Sequence, residues 1–122
     1  MARILLVEDN EMNRDMLSRR LQRKGYEVTM AVDGRQGVDM ARSGGYDLIL
    51  MDMSLPEIDG WEATRQLRAA PETKTVPIIA LTAHAMRGDE ERARAAGCDH
   101  YLAKPISPKK VVEEVRKMLR QA

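Results

Sequence analysis

Four apolar runs in this chain are each followed at once by a residue capable of chemistry. Glu8 and Asp9 follow "RILLV" (residues 3–7), Asp52 follows "DLILM" (47–51), Thr82 follows "PIIAL" (77–81) and Lys104 follows "HYLA" (100–103). A carboxylate leaving a core is expensive if it stays half buried beside other acids. If the first and third runs are neighbouring strands, about 4.8 Å apart, then Glu8, Asp9 and Asp52 crowd together. Three carboxylates so placed repel one another, and at least one must take a proton unless a cation is present. A hard divalent ion resolves this: magnesium prefers oxygen ligands, keeps several waters and is commonly held by one or two carboxylates together with a phosphate. With Mg²⁺ and the Lys104 ammonium in place the formal charges cancel. Turning Asp52 into an acyl phosphate adds about one negative charge, which hydroxyl and backbone donors can satisfy, and Thr82 supplies such a hydroxyl. The expected chemistry is phosphoryl transfer with Asp52 as nucleophile and the metal and Lys104 stabilising charge on the equatorial oxygens.

Taken singly, each residue has a bland reading. A lone aspartate after a strand is commonly a helix cap or a solvated turn, and Thr82 alone serves equally well as a cap for the next helix. Lys104 before a proline is ordinarily an exposed loop charge. Their joint placement after separate apolar runs is what favours a shared site.

The elements that must position these residues are legible as alternating strands and helices, the pattern of a parallel sheet. Besides the four runs above, "YEVTMA" (26–31) reads as a strand; its polar alternation suits an edge, whereas three of the runs carry almost no polar alternation, as expected of inner strands covered on both faces. The first helical pattern has Leu17 and Leu21 four apart and finishes at Lys24-Gly25, where glycine can take the left-handed conformation. The second runs from Arg35 to Arg42 and stops at Gly44-Gly45, with Asp33 as its cap before Gly34. The third begins after Asp59-Gly60, places Trp61, Thr64 and Leu67 on one face and ends before Pro71; the fourth covers Arg87 to Ala96 and ends at Gly97. The last opens with Ser107-Pro108, a cap followed by the proline favoured at the first helical position, and carries a core stripe of Val111, Val112, Val115, Met118 and Leu119.

At 122 residues the chain has the size of one domain, 1–122, and the five strands and five helices leave nothing over for an attached output domain. Composition is 43% hydrophobic and 32% charged with a net charge of +1, which argues against disorder and against binding nucleic acid by bulk attraction. Cys98 is the sole cysteine, excluding an internal disulfide, and is read as a small apolar residue in a turn. No stretch approaches the roughly 20 apolar residues of a membrane span, and "MARILLVEDN" turns acidic too soon for a signal peptide. A cytoplasmic setting without membrane contact is the expectation.

On the motifs "LLVEDN", "LILMDMSLPEIDG", "ALTAHA" and "YLAKPI", the chain resembles the response-regulator receiver domains of bacterial two-component signalling, the CheY-like superfamily, over residues 3 to 120. The resemblance implies an α/β fold, a doubly wound five-stranded parallel sheet in the order 2-1-3-4-5, flavodoxin-like, and it implies roles. Asp52 takes the phosphoryl group; Glu8, Asp9 and Asp52 hold Mg²⁺, with Mn²⁺ able to substitute, and the backbone carbonyl of Ser54 is a further ligand. Thr82 and Lys104 contact the phosphoryl oxygens, and the Lys104-Pro105 bond is cis. Tyr101 matches the aromatic that turns inward when Thr82 moves. Ser54 and His84, each two residues past an active-site residue, lie where the family tunes its dephosphorylation rate. Glu8 departs mildly from the family's usual pair of aspartates.

The resemblance further implies that a histidine kinase or histidine phosphotransfer protein donates the phosphoryl group. It docks on the first helix beside Pro105 and Ile106, with Asn13 and Met16 as contacts. Arg14, Arg19 and Arg20 could attract an acidic rim, although a charge run of this kind is usually a solvated helix face. The signal leaves through helix 4, strand 5 and helix 5, about residues 86 to 121, to a downstream protein. The starting methionine and short tail favour a stand-alone regulator, like the single-domain cell-cycle and chemotaxis receivers, over a receiver cut from a hybrid histidine kinase. Two other classes compete. A haloacid-dehalogenase-type phosphatase needs a second acid two residues past the nucleophile, where this chain has Ser54. A flavodoxin-like FMN carrier needs a hydroxyl-rich phosphate loop where this chain has "EDNEMN".

Overall fold

The apolar runs extend into strands because their residues can be buried on both faces at once, and the computed structural model, which describes residues 2–82 and 87–120, shows where each face goes. The strands are β1 (Arg3–Val7), β2 (Glu27–Ala31), β3 (Leu48–Asp52), β4 (Ile78–Thr82) and β5 (His100–Ala103). They alternate with α1 (Glu11–Arg23), α2 (Gly34–Gly44), α3 (Gly60–Ala69), α4 (Arg87–Ala96) and α5 (Pro108–Arg120). All strand pairs are parallel and the sheet order is β2-β1-β3-β4-β5. Among the described residues no helix is long and apolar enough to cross a membrane.

Successive side chains of a strand point to opposite faces, and the two faces feed two cores. Leu5, Val7, Ile49, Met51, Ile78 and Ala80 pack with Val38 and Ala41 of α2, Trp61 and Leu67 of α3, and Ala93 and Ala96 of α4. Ile4, Leu6, Leu48, Leu50, Ile79 and Leu81 pack with Leu17 and Leu21 of α1 and Val111, Val112 and Val115 of α5. β3 and β4 are buried at every residue, whereas β2, on the edge, buries only Ala31. The lack of alternation in the inner runs thus reflects helices on both sides of the sheet.

The helix ends follow local chemistry. Asn10, Asp33 and Asp59 each accept a hydrogen bond from the backbone N–H three residues on, satisfying donors that α1, α2 and α3 would otherwise leave unpaired. At the other ends Gly25, Gly45 and Gly97 have positive φ, a conformation glycine adopts without steric cost. Ser107 Oγ accepts from the Lys110 N–H at 3.3 Å and starts α5.

Two strands lie one residue later than the sequence suggests. The expected runs 47–51 and 77–81 are found as Leu48–Asp52 and Ile78–Thr82. The ladder continues past the apolar run: the Met53 N–H donates to Leu81 O at 3.0 Å, and the Lys104 N–H donates to Thr82 O at 2.7 Å. Asp52 and Thr82 are therefore the last residues of their strands, both buried, and not the first residues of exposed loops.

Candidate functional site

Register places the acids. β1 and β3 pair with Val7 opposite Met51, so the next residues, Glu8 and Asp52, emerge side by side at the carboxyl edge of the sheet, where the strand order reverses between β1 and β3. One carboxylate oxygen from each of Glu8, Asp9 and Asp52 lies within 4.8 Å of the others. Glu8 and Asp52 are buried and Asp9 is exposed, so the cluster reaches solvent at Asp9.

The Asp52 carboxylate is gripped through both oxygens. Oδ1 accepts the Ser54 N–H at 2.9 Å and Oδ2 accepts from Lys104 Nζ, also at 2.9 Å. Lys104 arrives from β5 and its bond to Pro105 is cis. Glu8 donates its N–H to Ala31 O at 3.1 Å, and its Oε2 accepts the Asn10 N–H at 3.1 Å. Its other oxygen, Oε1, is buried and has no hydrogen-bond partner among the described residues. Burial and the neighbouring Asp52 carboxylate push the Glu8 carboxyl up from 4.5 to about 7, against the lowering pull of the Asn10 N–H and of Lys104.

An all-carboxylate donor set with one buried, unpartnered oxygen is suited to a hard divalent cation, which would supply the missing partner and offset the repulsion that holds Glu8 partly protonated. Of the three acids Asp52 is the most fully buried and the one paired with Lys104, so a cation held there would add to a charge already partly offset.

The remaining expected residues surround this cluster. Thr82 ends β4 opposite Ala103 and is buried. Tyr101, on β5 opposite Ala80, is half buried against the core, with its O–H 3.4 Å from a Glu90 carboxylate oxygen. The Ser54 side chain is exposed. Asn13 and Met16 lie on α1, Pro105 is exposed, and Ile106 packs on the core beneath α1 and α5. His84 lies outside the described residues. A groove of about 500 Å³ runs along α4, β5 and α5, lined by Glu90, His100, Tyr101, Lys110 and Glu114 among others.

The backbone beyond Asp52 is held by contact. A Cβ on Gly60 would lie 2.3 Å from Asp52 O, and one on Gly34 would lie 1.8 Å from Ile58 O, so both glycines are required where α3 and α2 approach the loop after β3. Within that loop Glu57 has φ 68°, a left-handed conformation that favours glycine or asparagine.

Two contributors escaped the reading of the sequence. Asn10 caps α1 and offers its own N–H to Glu8, an effect signalled by its type just before a helical pattern. Arg14, read from the sequence only as a charge that could attract an acidic rim, donates to the carbonyls of Glu8 and Asp9 at 2.9 and 3.3 Å. Arg19 is engaged with Asp15 at 3.0 Å on the exposed side of α1.

Comparison with known proteins agrees with this geometry. The family model described as the response regulator receiver domain matches residues 4–116. The chain is 42% identical over 119 residues to the polar-differentiation response regulator DivK of Brucella anthropi, covering 98% of this chain and 97% of that protein. It is 44% identical, with a TM-score of 0.89, to the receiver domain of the sensor histidine kinase PA1611 from Pseudomonas aeruginosa, covering 97% of each chain; that structure has a magnesium ion coordinated in its active-site cleft. It is 30% identical, with a TM-score of 0.91, to a chain in the Saccharomyces cerevisiae co-crystal of the histidine phosphotransfer signaling protein Ypd1 with the receiver domain of its downstream response regulator Ssk1, covering 96% of this chain and 88% of that one.

Proposed function

This chain belongs to the response regulator receiver domain family, and from that membership we propose that Asp52 is the residue that accepts the phosphoryl group. The observation that carries this reading is the convergence of one carboxylate oxygen each from Glu8, Asp9 and Asp52 within 4.8 Å, with one buried Glu8 oxygen left without a partner among the described residues. Glu8, Asp9, Asp52 and the Ser54 carbonyl would hold Mg²⁺, or Mn²⁺ in its place. When bound, the metal supplies positive charge to the phosphoryl oxygens.

The protein's own residues do the rest. An oxygen of the Asp52 carboxylate forms the bond to phosphorus as the phosphorus–nitrogen bond of the donor phosphohistidine breaks, and the electron pair of that bond stays on the imidazole. The Lys104 ammonium, already 2.9 Å from Asp52, transfers its hydrogen bond to a phosphoryl oxygen. The Thr82 hydroxyl takes another. The donor is a histidine kinase or histidine phosphotransfer protein docked on α1, Asn13, Met16, Pro105 and Ile106; the Ypd1–Ssk1 co-crystal supports the pairing of such a partner with this fold. Tyr101 then carries the change to the groove along α4, β5 and α5, where a downstream protein binds. Ser54 and His84 set how long the phosphate lasts. The protein catalyses only its own phosphorylation and dephosphorylation, in the cytoplasm.

A second reading is favoured by the 44% identity to a sensor-kinase receiver: the same domain, serving within a hybrid histidine kinase. Both readings share the chemistry at Asp52. Incubation with acetyl phosphate and Mg²⁺, followed by intact-mass spectrometry, tests it. One added phosphate, labile to hydroxylamine, is expected, and none when excess EDTA is present during the incubation or in Asp52→Asn; incorporation that persists in Asp52→Asn refutes the assignment.

A further inference from the structure

The acidic pair sits on a turn of only three residues between β1 and α1, and one side chain from the helix reaches back to fix it. Arg14 Nη1 donates to Glu8 O at 2.9 Å and to Asp9 O at 3.3 Å. The same turn is tied at its start by the Glu8 N–H to Ala31 O at 3.1 Å and at its end by the Asn10 cap on α1, whose side chain accepts the Asn13 N–H at 2.9 Å. Between those anchors the Asp9–Asn10 plane is held besides by the Asn10 N–H to Glu8 Oε2 at 3.1 Å, a bond that draws on the same carboxylate a metal would use, and the Glu8 carbonyl is held by Arg14. Rotation about either plane would swing the Glu8 or Asp9 side chain away from Asp52. A single charged donor shared by consecutive carbonyls locks both planes at once, and hydrogen bonds from charged donors are the stronger class.

We propose that Arg14 is a positioning residue for the metal site, holding the carbonyls of Glu8 and Asp9 so that their carboxylates face Asp52. This rests on the magnesium reading given above. It also makes α1, the helix on which the phosphodonor is placed to dock, mechanically continuous with the acidic pair.

The sign of the effect separates this role from the alternatives. A guanidinium near a divalent cation repels it, so if Arg14 acted only as a nearby charge, removing it would tighten Mg²⁺ binding. If it were only a solvated surface side chain, removal would leave the affinity unchanged. As a positioning residue its loss weakens binding, since ligands held through their surroundings typically lose about tenfold or more in metal affinity when that support is removed.

The test is calorimetric titration of MgCl₂ into the full chain at fixed ionic strength, well below the melting temperature of every variant. Arg14→Gln is expected to weaken Mg²⁺ binding by about tenfold, and Arg14→Lys, which restores a charged donor, to recover most of the loss. Arg14→Met, which keeps the aliphatic stem without donors, carries the same expectation as Arg14→Gln and replaces it if that variant does not fold. Unchanged or tighter binding in the neutral variants overturns the proposal while leaving the metal reading intact. Absence of Mg²⁺ binding by the wild-type chain overturns both.

Discussion

Lys104 Nζ lies 2.9 Å from Asp52 Oδ2 across 52 positions of sequence, joining the ends of two strands that do not touch in the sheet, since β4 runs between them. The Asp52 side chain is almost fully buried, while that of Lys104 is 25% exposed. The pair is asymmetric: the carboxylate depends on the ammonium more than the reverse. Removing the lysine strands a buried negative charge, and such losses cost more than the pair itself contributes.

Lys104→Ala should therefore lower the stability of the metal-free protein by about 1–3 kcal/mol. Urea unfolding measures the loss, and saturating Mg²⁺ should recover part of it by providing another cation for Asp52. Phosphorylation from acetyl phosphate should slow in the same variant. Normal stability together with a normal rate would remove Lys104 from the site.

Glu8 makes stability depend on pH in an unusual direction. Its carboxyl titrates near 4.5 when unfolded and about 7 when folded, so the folded state holds the extra proton between those values. The contribution of Glu8 is complete below about pH 4.5 and is lost as pH rises through 7, up to about 3 kcal/mol. Thermal melts of the metal-free protein should show this decline, Glu8→Gln should abolish it, and that variant should be the more stable at pH 8. Because metal and proton compete for the same oxygens, Mg²⁺ affinity should rise with pH and level off above about 7. A raised Glu8 pKa that persists in part in Asp52→Asn, followed by carboxyl-carbon NMR titration, would reflect the burial that is its largest cause.

Glu57 holds a left-handed backbone at φ 68° on an exposed loop. Glu57→Asn or Glu57→Gly relieves that conformation and should raise stability by about 0.5–1 kcal/mol without altering Asp52 phosphorylation. Equal melting temperatures would show that the loop bears no strain there.

Gly60 is the opposite case. Its missing Cβ would sit 2.3 Å from Asp52 O and 2.6 Å from Met53 Cα, backbone atoms that cannot move without shifting the nucleophile. Gly60→Ala should cost at least about 1–3 kcal/mol and reduce phosphorylation as well, even though alanine favours the helix that begins there. Circular dichroism melts alongside acetyl phosphate labelling will separate the two losses.

The sequence alone determined the order of the elements and the residues that could act, because both are local matters. Runs such as "RILLV" and "DLILM" can only be buried strands, Asp33 and Asp59 announce helices by their side chains, and Gly45 and Gly97 end them through backbone freedom. Which strands are neighbours was supplied by resemblance and is fixed physically by register: Val7 against Met51 brings Glu8 beside Asp52. Only the tertiary structure decided the rest. That Asp52 and Thr82 end their strands follows from ladder hydrogen bonds continuing past the apolar residues, a pairing that composition does not reveal. That Arg14 reaches two carbonyls, and that one oxygen of Glu8 is left without a partner among the described residues, depend on where separate elements meet after packing. Residue type states what a group can do; long-range packing sets its burial and its neighbours, and these set its charge and its role.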